Sequence, residues 1–150
     1  MQKINPCLWF NYQAEEAVHF YLSIFKNSKI VNTSYYPEKK ATANKTVMSI
    51  TFELDGNTFI AFNGGPHFTF SPAVSFYVNC YSQKEVDELW ERLSDGGKKG
   101  ECGRLEDKFG VTWQIAPIEL IEKLNDPDPQ KAYRTMKSIL RMGKIEIDRL

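Results

Sequence analysis

Few side chains in this sequence are of a type that does chemistry, and they lie far apart. The histidines are His19 and His67. His67 follows Asn63-Gly64-Gly65-Pro66, a turn able to hold it over the mouth of a cavity. Imidazole is a side chain suited to acid–base work, although His67 reads more readily as a loop histidine packed at the surface. His19, between Val18 and Phe20, reads as a partly exposed helix residue. The amides of Asn63 and Gln114 each offer donors and an acceptor. They either orient a ligand carbonyl or carboxylate, or satisfy the chain's own backbone groups. Trp9 and Tyr77 would make aromatic walls with polar handles if strand parity turns them away from the helices, since a one-residue slip reverses every side chain. Trp113, opposite in parity to Gln114, and Trp90, in a helical stripe, are expected in the core. Paired acids at catalytic spacing, a phosphate loop, a serine elbow and HExxH are all missing, so no catalytic residue is assigned. Asp126 and Asp128 alternate with prolines and read as helix punctuation.

The elements that must position these residues are well marked. Residues 7–10 form a short strand, and Ala14, Ala17, Val18, Tyr21, Ile24 and Phe25 then recur at helical spacing. Glu15 and Glu16 in the first turn complement the helix dipole. Residues 30–35 read as a strand and residues 37–45 as a polar loop. Residues 46–54 alternate, with Val47, Ser49 and Thr51 on one face and Met48, Ile50 and Phe52 on the other. Asp55-Gly56 is a hairpin signal leading to a strand at 58–62. The pattern then restarts, with a strand at 74–80 and a capping box from Ser82 to Glu85. The stripe Val86, Leu89, Trp90, Leu93 follows, and Gly96-Gly97 stops that helix. A short strand at 101–105, a Phe109-Gly110 turn and a strand at 111–116 complete the second half.

The halves overlay: Phe10-Asn11 on Val78-Asn79, Glu16-Ala17 on Glu85-Val86, and Phe20-Tyr21 on Leu89-Trp90. Each half reads β-α-β-β-β, with one strand poorly defined in the second. A duplicated α+β module of this kind places its helices on one face of each sheet and leaves the other faces for a shared cup. The expected division is a single domain, 1–150, made of a first module (1–66), a second (67–117) and a helical extension (118–150). In the extension, 118–124 is a short helix, Asp128 caps the next, Pro129 takes its first position and Gly143 ends it. The stripe Ala132, Met136, Ile139, Leu140 must be buried against the domain or a partner chain, and a homodimer is expected.

The 150 residues carry 19 cations and 19 acids, for no net charge. With cations spread along the chain, no nucleic-acid stripe is visible. No apolar run reaches the roughly 18 residues of a membrane span, and no secretory leader is seen at Met1 to Pro6. Cys7, Cys80 and Cys102 form no CxxC pair and read as reduced thiols of a cytoplasmic protein. The aromatic content of 13% is high and suits either a ring-lined cavity or a Phe-rich core.

The duplicated module resembles the vicinal-oxygen-chelate superfamily of glyoxalases, bleomycin-resistance proteins and dioxygenases. The strings Leu8-Trp9-Phe10-Asn11 with Ala14-Glu15-Glu16-Ala17 and Phe20-Tyr21 resemble the opening of its PhnB-like branch. So do Asn63-Gly64-Gly65-Pro66-His67-Phe68, Val86-Asp87-Glu88-Leu89-Trp90 and Gly110-Val111-Thr112-Trp113-Gln114-Ile115. Some members of that branch bear the family label 3-demethylubiquinone-9 3-methyltransferase. A methyltransferase of the doubly wound kind needs a Gly-rich turn between strand and helix, and Gly64-Gly65-Pro66 precedes no helical pattern.

The resemblance implies four cup positions that hold a divalent metal in the superfamily's enzymes. They fall on Pro6 or Cys7, within 60–63, on Ser75 and on Gln114. Only Gln114 is of a usual type, so no metal and no other cofactor is expected. The expected function is small-molecule binding, or an enzyme of unknown reaction, in a metal-poor apolar cup touched by Trp9, Asn63, His67, Tyr77 and Gln114. The alternatives are a metal-dependent lyase, isomerase or dioxygenase, and a resistance protein that sequesters a drug or antibiotic.

Overall fold

The structure is a computed structural model that describes residues 1–38 and 45–150. Most of the polar loop expected at 37–45 lies outside the described residues. The chain divides into two compact units, Met1–Thr69 and Phe70–Leu150.

The first unit runs β1 (Cys7–Phe10), α1 (Ala14–Ile24), β2 (Lys29–Tyr35), β3 (Val47–Leu54) and β4 (Asn57–Asn63). Its sheet has the order β1-β4-β3-β2, with β1 parallel to β4 and the other pairs antiparallel. Register decides the faces, because directly opposed residues share one. Leu8, Phe10, Ile50, Phe52, Leu54 and Ala61 are buried on one side, which α1 covers with Ala14, Ala17, Val18, Tyr21 and Ile24. Tyr21 stacks on Phe52 at 6.5 Å between centroids.

The second unit repeats that order: β5 (Ser75–Cys80), α2 (Gln83–Ser94), β6 (Lys98–Lys99), β7 (Arg104–Glu106) and β8 (Thr112–Pro117). Its sheet is β5-β8-β7-β6, again with the outer first strand parallel to the last. The two units are thus two copies of the βαβββ module, and the fold is α+β of the glyoxalase type. Ser82 caps α2 by accepting from the Glu85 N–H at 3.1 Å. The return bond of the expected box goes one residue further back, from the Tyr81 N–H to Glu85 at 2.8 Å. Val86, Leu89, Trp90 and Leu93 are buried beneath α2 as the stripe required.

The strand expected at 101–105 is corrected to Arg104–Glu106, which pairs with Thr112–Gln114 of β8 and, through Leu105 and Glu106, with Lys98–Lys99. Gly103 N–H instead donates to the Gly143 carbonyl, tying this turn to the chain after α4.

The extension forms α3 (Ile118–Leu124), α4 (Pro129–Ile139) and a final 3₁₀ turn, Ile147–Arg149. Asp128 caps α4 by accepting from the Gln130 N–H at 3.0 Å. Within its own unit the extension completes a small core of Ala116, Leu120, Ile139, Met142 and Ile145. The expected stripe is only partly right. Ile139 faces inward with Thr135, while Met136 and Leu140 are exposed beside Tyr133. The helix also stops at Ile139 rather than at Gly143, so Leu140 is a cap residue turned outward.

Candidate functional site

Each sheet has one face covered by a helix and one that no helix of its own module covers. In the first unit the open face carries Cys7 and Trp9 of β1, Ile60 and Phe62 of β4, and Ser49 and Thr51 of β3, as the register requires. Trp9 therefore faces away from α1. Its indole lies 5.1 Å from Phe62 and 4.9 Å, edge-on, from Phe68. Its Nε1–H donates to the Gly65 carbonyl at 2.9 Å. The ring also covers Gly64 so closely that a Cβ there would lie 2.5 Å or less from three indole carbons. Trp9 thereby pins the turn after β4 while keeping part of its own surface accessible.

The second unit's open face is more polar. Ser75 and Tyr77 of β5 lie opposite Thr112 and Gln114 of β8, and Arg104 of β7 lies opposite Gln114. Gln114 Nε2 donates to Ser75 Oγ at 2.8 Å. Arg104 donates to the Pro72 carbonyl at 2.6 Å and so ties down the segment entering β5. Tyr77 is 43% exposed. Desolvation, and to a lesser degree the nearby Cys80, raise its phenol pKa, so it is a neutral donor at physiological pH. Trp113 points the other way, into the core, where its Nε1–H reaches buried Asp107 at 2.9 Å.

Asn63 lies elsewhere. Its side chain is buried beneath α1. Oδ1 accepts the Ala14 N–H at 2.9 Å, while Nδ2 donates to Glu15 at 2.7 Å and to the Val47 carbonyl at 3.1 Å. Its polar atoms are thus engaged in holding α1, β3 and β4 together, and its carbonyl accepts from the Tyr36 hydroxyl. His67 is exposed on the turn that Trp9 holds, and His19 is exposed on α1. Phe62, Phe68 and Arg104 were not singled out from sequence. Phe62 was recoverable in principle, since it stands to Trp9 as Gln114 stands to Tyr77.

That equivalence places the metal positions of the superfamily. Cys7 precedes Trp9 by two residues as Ser75 precedes Tyr77, and Phe62 and Gln114 are the residues facing those aromatics. The four positions therefore hold a thiol, a phenyl ring, a hydroxyl and an amide. Phenyl offers no donor, and the Ser75 hydroxyl, a weak neutral ligand, already accepts from Gln114 Nε2. Desolvation raises the Cys7 thiol pKa, although the residue as a whole is exposed. Its thiolate, the form that binds metal, is disfavoured. The residues do not fit a divalent metal. Among the described residues, no three His, Cys, Asp or Glu side chains come together as a metal-binding group.

Residues 2–116 match the family model described as 3-demethylubiquinone-9 3-methyltransferase. The chain belongs to that family. The PhnB protein of Bacillus cereus is 37% identical, with a TM-score of 0.69 over 77% of this chain and 99% of that one. Protein PA1353 of Pseudomonas aeruginosa has the same fold at 20% identity, with a TM-score of 0.65 over 78% of this chain and 98% of that one. So does the fosfomycin resistance protein FosX of Listeria monocytogenes, at 12% identity and TM-score 0.51, over 88% of this chain and 98% of that one. No curated protein matches the chain. The family match ends at the last strand of the second sheet, leaving α3, α4 and the residues after them outside it. No helix among the described residues is long and apolar enough to cross a membrane.

Proposed function

We propose that this family member binds a small, largely planar organic molecule on the helix-free face of its first sheet, without a metal. The observation that carries the reading is the content of the four superfamily positions, Cys7, Phe62, Ser75 and Gln114, beside partly exposed Trp9. Where enzymes of the superfamily need metal donors, this chain has a ring and a neutral hydrogen-bonding pair. On the first sheet Trp9 and Phe62 supply ring surface, and on the second Ser75, Tyr77 and Gln114 supply neutral donors and acceptors. Asn63 is withdrawn from the ligand-binding set because its side chain is engaged internally. His67 is retained only as a residue of the Trp9-held turn.

The test is fluorescence titration of purified protein with a panel of aromatic amides, phenols and carboxylates. Trp90 and Trp113 are buried, so a ligand on the first sheet's open face quenches Trp9 selectively. Saturable quenching that disappears in Trp9→Phe, with affinity reduced in Phe62→Ala, supports the reading. Tight binding that survives both substitutions would refute it.

The same reading includes a homodimer in the cytoplasm. Free Cys7, Cys80 and Cys102 suit a reducing compartment. The exposed Tyr133, Met136 and Leu140 of α4 offer apolar contact to a second copy. Light scattering showing a single-chain mass at every accessible concentration would remove the dimer.

A further inference from the structure

The end of α4 and the last turn of the chain border an open pocket of about 240 Å³ lined by Lys137, Ser138, Arg141, Met142 and Arg149. It lies wholly in the extension, outside the family match. We propose that it is a binding site for a phosphate-bearing small molecule.

Charge distribution is the first argument. The chain as a whole is neutral, yet residues 129–150 contain Lys131, Arg134, Lys137, Arg141, Lys144 and Arg149 against the acids Glu146 and Asp148 alone. A helix C-terminus carries roughly half a negative charge. Three cations at one cavity therefore exceed what complementing α4 requires.

The second argument is what remains uncommitted. Lys144 is outside the cavity and paired with Asp87 at 2.8 Å. Arg149 bonds Glu146 through one nitrogen at 2.9 Å, leaving the rest of its guanidinium. Lys137 sits 5.5 Å from the Tyr133 ring centroid, a contact that leaves its charge unneutralised. Arg141 is exposed and has no carboxylate partner among the described residues. Guanidinium forks match phosphate oxygens in pairs, and the Ser138 hydroxyl adds a neutral donor. Met142 is buried in the small core and gives the cavity an apolar wall.

Size narrows the ligand. The volume lies just below the ~300–1,000 Å³ of ordinary ligand pockets, which suits a compact phosphate monoester.

The experiment is an amide-resolved NMR titration of the full chain at low ionic strength with inorganic phosphate, phenyl phosphate and, as control, sodium chloride at matched ionic strength. Saturable shifts at residues 137–142 and 149 are expected with both phosphates and not with chloride. Phenyl phosphate should bind more tightly than the free ion. Arg141→Gln and Lys137→Gln, both at exposed positions, should each weaken binding about tenfold, equivalent to about 1.4 kcal/mol. Gln114→Ala should leave it unchanged. Equal shifts with chloride, wild-type affinity in both charge variants, or no advantage for phenyl phosphate would overturn the proposal.

Discussion

Gly64→Ala tests whether Trp9 holds the turn after β4. The backbone at Gly64 is not in the left-handed region, so alanine brings no φ penalty and its effect is steric. The new Cβ would lie 2.5 Å or less from Cζ2, Cε2 and Cη2 of Trp9, where carbon atoms prefer about 3.5–4.0 Å. Something must move by about 1 Å or more. The indole cannot move freely, because Phe62 and Phe68 flank it and its N–H is bonded to Gly65. Overpacking costs about 1–3 kcal/mol, and a lost hydrogen bond about 0.5–1.5 kcal/mol more. The expected destabilisation is about 2–4 kcal/mol, or roughly 5–15 °C in Tm for a chain of this size. The assay is chemical denaturation of wild type, Gly64→Ala, Trp9→Ala and the double variant. If Trp9 is the obstacle, Gly64→Ala should cost little once Trp9 is gone, giving a coupling energy of about 1–3 kcal/mol. A Gly64→Ala penalty of the same size in the Trp9→Ala background would refute the reasoning.

Trp90 is 4% exposed beneath α2, so Trp90→Ala should cost about 3–5 kcal/mol, read as a lower denaturation midpoint. Asp107 accepts from the Phe109 and Val111 N–H groups through Oδ1 and from the Trp113 indole through Oδ2. Asp107→Asn must turn an NH₂ toward one of these donors, with an expected loss of about 1–3 kcal/mol and a shift in Trp113 emission. Hydrogen bonds from Lys144, then from Gln83, lower the Asp87 pKa below its ordinary 3.8. The resulting stabilisation is present above that ordinary value and is lost as pH falls through the lowered one. It should be small, since both partners of the ion pair are partly exposed. Comparing stability from neutral to strongly acidic pH in wild type and Asp87→Asn should show this acid-side loss only in wild type. Elemental analysis should find no stoichiometric divalent metal, and one Zn, Ni, Fe or Mn per chain that is lost in Gln114→Ala would contradict the donor argument.

Local rules made much of this fold legible from sequence. The α1 and α2 stripes, the Ser82 and Asp128 caps, the Asp55-Gly56 hairpin and the duplicated β-α-β-β-β order depend on neighbours a few residues apart. Short-range sterics and periodic burial are therefore enough to reveal them. The weak points were also local. β6 and β7 are only two and three residues long, too short for alternation to register. On α4 the apolar pattern gave Ala132, Met136, Ile139 and Leu140, but of these only Ile139 joins the small core, and Thr135 is buried while Met136 and Leu140 are exposed, because a helix's docking angle is set by what it packs against.

The candidate site depended most on the tertiary structure. Trp9, Asn63, Tyr77 and Gln114 were all visible as residues with a polar handle, but apart from Gln114, set opposite the core residue Trp113, their faces were not. The parallel register of β1 on β4 joins residues more than fifty positions apart. That register turned Trp9 to the open face, buried Asn63 beneath α1 and put Phe62 where Gln114 stands in the other copy. Strand alternation says which residues share a face. Only the pairing of distant strands, set by which face the helix buries, says which face it is.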